Sequence, residues 1–354
     1  MNFSINIHSL VRIRLSNLHF SIADKLRKYF NLFITDSAEI SGNYDIEVMP
    51  FTTETKSYAL ASKTIMPFWI KELNNDAHVV IGHRGNPAMA FNVSGPITLY
   101  YCDKTQDFSK LLLTLTYCIQ LILLRKGGIL FHGAVLSRGN ECILFVGPSS
   151  VGKTSLTVAM LNDGWDYLSD DKFILHKGMA LMFRHYIPME RCHLDYLKSK
   201  CLISVSKRFK YPNVINQLAK VFVEQYSPEF AIPLFGQLCS PFVFVDVNEM
   251  FPECRPRITA KPSKCVVLMQ SASFRFQQFS YDDIIRDIVN IQWLHFPNFE
   301  KLTRILSLSD YSYNKVFEAV IFNNLANMQF YKLNFPYEWN QEKLYEAVLN
   351  GINP

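Results

Sequence analysis

Residues 141–162 read ECILFVGPSSVGKTSLTVAMLN, and this stretch decides the fold. Glu141 to Val146 is a mostly apolar run of strand-forming residues. Gly147-Pro148-Ser149-Ser150-Val151-Gly152-Lys153-Thr154 fits G-x-x-x-x-G-K-[ST], and Ser155 to Leu161 has helix length and an apolar face, with Gly164 placed to end it. Strand, glycine-bearing loop and helix in that order form the context in which such a loop binds phosphate. Gly147 and Gly152 let the backbone turn its N–H groups toward an anion, to which the following helix adds its positive end. Lys153 is expected to reach the terminal phosphates and the Thr154 hydroxyl to ligate Mg²⁺. The expected nucleotide contacts are Gly147, Pro148, Ser149, Ser150, Val151, Gly152, Lys153, Thr154 and Ser155.

Downstream, Tyr167-Leu168-Ser169-Asp170-Asp171-Lys172-Phe173-Ile174-Leu175 sets two adjacent acids inside a strand-like run. Strand neighbours point to opposite faces, so only one of Asp170 and Asp171 looks at the nucleotide unless the backbone bends there. One acid would hold Mg²⁺ against the phosphates, and a second would accept the proton of an attacking hydroxyl.

Reading outward, the hairpin turn Ser137-Arg138-Gly139-Asn140 joins the loop strand to a preceding strand, Ile129 to Val135. A doubly wound parallel sheet would have a helical crossover there, so a mixed sheet is expected. A helix is expected over Leu111 to Leu124 (LLLTLTYCIQLILL), too short for the roughly 20 apolar residues that a bilayer requires. Further strands are expected over Phe242–Val247 and Cys265–Met269. Helices are expected over Asp282–Leu294, Phe299–Leu306, Lys315–Asn323 and Gln341–Leu349, making the C-terminal region helical. Residues 1–95 read as a separate, smaller α/β unit, with strands at Ser9–Ile13 and Tyr44–Met49 and a helix over Ile22–Leu32. Residues 96–354 then form the nucleotide-binding unit. His78 and His83 show no metal spacing.

Apolar residues make up 49% of the 354 residues and charged ones 19%, which excludes an extensively disordered chain. Lys+Arg 36 against Asp+Glu 31 leaves a dispersed net +5, no footprint for nucleic acid. The eight cysteines show no C-x-x-C and read as reduced thiols of a cytoplasmic protein without a zinc site. The N-terminus lacks the pattern of a signal peptide, and no membrane segment is expected.

Taken together, Gly127-Gly128-Ile129-Leu130-Phe131-His132-Gly133-Ala134, the loop, and Leu168-Ser169-Asp170-Asp171 resemble the HPr kinase/phosphorylase family, from Gly127 to Leu175. The resemblance implies a mixed-sheet P-loop core of the phosphoenolpyruvate-carboxykinase type. It also implies ATP- and Mg²⁺-dependent phosphorylation of a serine hydroxyl, with His132 beside the transferring phosphate. By motif position Lys153 and Thr154 match the nucleotide and metal residues, and Asp170 and Asp171 the paired acids. The loop carries Ser150 where the family usually has Gly. The Glu- and Arg-containing signature of true HPr kinases is not cleanly present. Glu190-Arg191 falls at a plausible distance, with Glu190 expected as a metal ligand and Arg191 as a phosphate clamp, and a surface ion pair is the other reading of the pair.

The expected catalytic set is therefore Asp171, Asp170, His132 and Lys153, and the metal set Thr154, Asp170 and Glu190. Relatives with this shortened signature resemble kinases of peptide-modification pathways, so the expected partner is a protein or peptide bearing an acceptor hydroxyl. Homo-oligomers are expected by family analogy alone. Two other readings stay open at this point: a small-molecule hydroxyl kinase of the same fold, and a nucleotide-binding regulatory module without transfer activity.

Overall fold

A computed structural model describes residues 1–35, 43–51, 68–73, 76–83, 86–92, 96–101, 108–184, 186–190, 243–296 and 312–352, with isolated helical positions at 193, 197, 299, 302 and 303. Most of the helix expected over 299–306, Arg191, Cys102, Cys192, Cys201, Cys239 and the side chains of His78 and His83 lie outside the described residues.

Two compact units emerge: Met1–Leu130 with Phe296–Val320, and Phe131–His295 with Ile321–Pro354. Residues 96–130, which the turn signals near residue 95 group with the loop, fall in the first unit.

The first unit holds an eight-stranded mixed sheet in the order β3-β1-β2-β4-β8-β7-β6-β5. Its strands are β1 (Phe3–Ile7), β2 (Val11–Leu15), β3 (Ile34–Thr35), β4 (Ile46–Pro50), β5 (Phe68–Leu73), β6 (Asp76–His83), β7 (Asn86–Asn92) and β8 (Ile97–Tyr101). Strand β2 shows how sequence makes sheet: Val11, Ile13 and Leu15 are fully buried, while Arg12 between them is exposed. Helix α1 (Phe20–Tyr29) buries Ile22, Ala23 and Leu26. Helix α2 (Phe108–Arg125) packs on β2 and β8, which accounts for its apolar surface. Just after it, the Lys126 ammonium reaches Asp45 at 2.6 Å and the Leu10 carbonyl at 2.7 Å.

The second sheet runs β15-β12-β11-β9-β10-β16-β18-β17. Strand β9 (Gly128–Arg138) turns through Gly139-Asn140 into β10 (Glu141–Val146), with Arg138 opposite Glu141. The turn needs positive φ, and Gly139 supplies +60°. Strand β10 then pairs in parallel with β16 (Lys264–Gln270). The sheet is mixed, as the hairpin predicts. Beyond Glu141, β10 is buried throughout, the signature of a strand covered on both faces. On its other side β9 neighbours β11 (Asp166–His176), which turns through Lys177-Gly178 into β12 (Met179–Met182) beside the edge strand β15 (Thr259–Ala260).

The C-terminal region is not simply helical. It supplies β18 (Gln329–Phe335), parallel to β16, and before it β17 (Arg275–Phe279) forms the antiparallel edge. The stretch QFYKLNF is rich in strand-forming aromatics and short, which was the available signal. Helices α3 (Lys153–Asn162), α4 (Val247–Met250), α5 (Tyr281–His295), α6 (Tyr313–Leu325) and α7 (Gln341–Ile352) complete the described elements after α2. Helix α3 packs on β11 and α7, and α5 packs on β18. A short ladder of β13 (Tyr186–Met189) and β14 (Val243–Asp246) lies beside β11 and α3.

Candidate active site

The loop joins the buried end of β10 to α3, and each glycine has its own reason. A Cβ on Gly147 would sit 2.7 Å from Val151 Cγ1 and 2.8 Å from the Leu268 carbonyl oxygen, so close packing on β16 excludes any side chain. Gly152 is the N-cap of α3 at φ +98°, a left-handed conformation that favours glycine. Ser150 sits at φ +60°, a left-handed conformation that strains a residue other than glycine. No side chain caps α3. Its first-turn N–H groups therefore face the loop, the arrangement that receives an anion.

Lys153 is nearly buried and folds back onto its own loop, donating to the Gly147 and Pro148 carbonyls at 2.8 Å each. Burial pulls its ammonium down to about 8, with Asp170 and Asp171 acting in the opposite direction. Thr154 Oγ1 donates to Asp170 Oδ2 at 2.8 Å, and Thr157 Oγ1, one turn along α3, donates to Oδ1 at 3.1 Å. Burial pushes the Asp170 carboxyl up to about 6 against those two hydrogen bonds and the Lys153 charge. Its backbone N–H donates to the Tyr167 hydroxyl at 2.9 Å.

The bend that would let both acids face the site is present. Asp171 has φ +106° within β11, and Ser169 Oγ donates across the bend to the Lys172 carbonyl at 2.8 Å. A non-glycine in that region costs on the order of 1–3 kcal/mol and persists only where its surroundings hold it. Two partners hold Asp171: Oδ1 lies 3.2 Å from His132 Nδ1, and Oδ2 accepts from Arg184 Nη1 at 3.0 Å. Burial alone would raise this carboxyl, but Lys172 and the His132 hydrogen bond outweigh it and keep Asp171 ionised, well below the usual carboxylate range.

His132 lies in β9 past the last pair with β10, Ala134 opposite Phe145. There the fully buried side chain of Gln292 substitutes for a strand neighbour. It accepts from the His132 N–H at 2.7 Å and donates to its carbonyl at 2.9 Å. The His132 ring stacks on His295, the last residue of α5, with centroids 3.4 Å apart and planes 22° apart. His295 Nε2 in turn lies 3.3 Å from the Gly147 carbonyl. Burial, then Lys153, lowers His132 to about 4 against the pull of Asp171; burial, His132 and Lys153 lower His295 to about 3. Both rings are neutral at pH 7. With Nδ1–H assigned to the Asp171 contact, His132 Nε2 is left deprotonated, and it is buried without a hydrogen-bond partner among the described residues.

Of the residues expected from sequence, the structure brings together Lys153, Thr154, Asp170, Asp171 and His132. Glu190, following β13, takes part through its backbone N–H, which donates to His193 Nδ1 at 3.0 Å; that fixes Nε2–H of His193 on Ser155 Oγ, also at 3.0 Å. Among the described residues no three His, Cys, Asp or Glu side chains converge as a metal nest. Sequence reasoning missed Arg184, His193, Gln292 and His295, none of which carries a local pattern. Thr157 was within reach, three residues from Thr154 on one helix face. Cys118, Cys142, Cys254 and Cys265 are free thiols, and no described helix is long and apolar enough to cross a membrane.

No family model and no curated protein matches the chain. Among solved structures, it is similar to the Hpr(Ser) kinase/phosphatase from Coxiella burnetii at 10% identity, covering 62% of this chain and 94% of that one, with a TM-score of 0.27. A superposition at this TM-score leaves fold and function to be argued from the residues themselves.

Proposed function

We propose that the protein is an ATP- and Mg²⁺-dependent kinase that transfers the γ-phosphate to a hydroxyl, foremost a serine of a protein or peptide. The observation that carries this reading is the bend at Asp171. One strand thereby gives Asp170 to the Thr154 hydroxyl and Asp171 to His132, both beside Lys153. A loop that only binds nucleotide has no need of the second, strained carboxylate.

The loop amides and the positive end of α3 receive the phosphates, and Lys153 leaves the Gly147 and Pro148 carbonyls to meet them. Thr154 and Asp170 fit a divalent cation. Asp170 is a buried carboxylate with two hydroxyl donors on it and a raised pKa, so it lacks the full positive partner a cation would be. Bound there, Mg²⁺ would neutralise charge on the phosphates. Arg184, already against Asp171, is a further cation on this side of the site.

The test is Lys153→Ala with γ-labelled ATP, candidate peptides and metabolite pools. Transfer is expected to fall by at least about a hundredfold in a variant whose circular dichroism spectrum matches that of the wild type. Labelled peptide in the wild type supports the protein or peptide acceptor; label only on a metabolite moves the acceptor to a small molecule. Wild-type turnover in the variant, or tight nucleotide binding with no transfer in the wild type, would sink the kinase reading.

A further inference from the structure

We infer that the proton of the acceptor hydroxyl is taken by His132 Nε2, with Asp171 as the residue that positions the ring rather than the base itself. The inference rests on the kinase reading above and deepens it. Three observations carry it.

First, both Asp171 oxygens are engaged, Oδ1 by His132 Nδ1 at 3.2 Å and Oδ2 by Arg184 at 3.0 Å. A carboxylate between a cation and an N–H donor is a poor proton acceptor. Second, His132 Nε2 is buried and has no hydrogen-bond partner among the described residues. Leaving a buried polar atom unsatisfied costs about 1–3 kcal/mol, a cost that a purely structural histidine would escape. An orphan of this kind marks a place where something else binds, and a lone pair asks for a hydroxyl donor. Third, the ring has no freedom to turn. Gln292 clamps its backbone on both sides, His295 covers one face, and Asp171 holds Nδ1. An Asp–His pair of this kind fixes the tautomer that leaves the Nε2 lone pair free, the logic by which an aspartate orients a general-base histidine.

The step balances as follows. The acceptor oxygen forms its bond to the γ-phosphorus as the bond from that phosphorus to the β-bridging oxygen breaks. ADP leaves with that electron pair, and the hydroxyl proton moves to Nε2. The resulting imidazolium faces the ionised Asp171 through Nδ1–H and returns the proton to solvent after the phosphomonoester leaves.

Two measurements on the full chain decide it. In protein labelled with ¹⁵N-histidine at pH 7, His132 is expected as the neutral Nδ1–H tautomer with Nε2 unprotonated. A protonated Nε2 overturns the proposal whatever the enzyme's activity. His132→Asn keeps a donor for Asp171 but has no Nε2. Phosphate release from Mg²⁺-ATP, with water as acceptor, is expected to fall at least about a hundredfold, with binding of the non-hydrolysable analogue AMP-PNP unchanged. A rate within about threefold of wild type overturns the assignment of the base and leaves the kinase reading standing. Failure of the wild type to bind AMP-PNP would instead strike the kinase reading itself.

Discussion

The loop, residues 147–155, and the wall facing it, built from His132, Asp171, Arg184 and His295, are assembled in opposite ways. The loop's shape is set locally: Lys153 bonds the carbonyls of Gly147 and Pro148, and Ser150 and Gly152 shape the turn through their own φ angles. The wall is drawn from three elements, β9, β11 and α5, and from Arg184 in the connection between β12 and β13. Its hydrogen bonds join residues as far apart as 160 positions, from β9 to α5. A turn shaped by its own φ angles is most sensitive at its glycines. A wall of buried, mutually dependent polar groups loses stability when any member is removed, because each leaves a partner desolvated and unmatched.

The contrast can be broken at several points. The largest effect is expected at Asp171→Ala, which takes a charged partner from Arg184 and a hydrogen bond from His132. Stability should fall by about 3 kcal/mol, measured by chemical denaturation, and an unchanged midpoint would show that the wall is not interdependent. In the loop, Gly147→Ala should cost about 2 kcal/mol by overpacking against Val151 and the Leu268 carbonyl. A fully stable variant would mean that β16 yields at that point.

Acid should find the wall before the loop. His132 and His295 stay neutral when folded, lowered to about 4 and about 3, but bind protons near 6.5 when unfolded. Their contribution is present above pH 6.5 and is lost as pH falls toward the folded values. His295→Leu should flatten that loss by about 1–2 kcal/mol at pH 4, a figure reduced for the ring's partial exposure; parallel curves for variant and wild type would place the acid lability elsewhere. The smallest effect is expected at Ser150→Gly. Relief of the left-handed strain is offset in part by chain entropy, so stability should rise by up to about 1 kcal/mol. A loss at this position would show that the Ser150 side chain matters more than its φ.

Much of the fold around the loop was legible because it rests on short-range rules. The Gly139-Asn140 turn announces the β9–β10 hairpin, and a hairpin before the loop requires a mixed sheet. The alternation Val11-Arg12-Ile13-Arg14-Leu15 announces a half-buried strand. Less legible was β18, whose seven residues sit among long helical patterns and were absorbed by them. His132, Asp170 and Asp171 could be named from their motif. Which acid faces which partner could not, since alternation along a strand predicts opposite faces and the φ of +106° at Asp171 breaks that rule.

By itself the sequence determined the strand, the glycine-bearing turn and the helix that carry Lys153 and Thr154, because φ preference, close packing and helix-end chemistry act within a few residues. The tertiary structure alone decided the rest. It sent Asp170 to the Thr154 hydroxyl and Asp171 to His132, set Arg184 against Asp171 from just beyond the β11–β12 hairpin, and brought in Gln292 and His295 from the distant helix α5. No spacing along the chain encodes those meetings. They follow from how strands order in the sheet and where α5 ends, which long-range packing fixes.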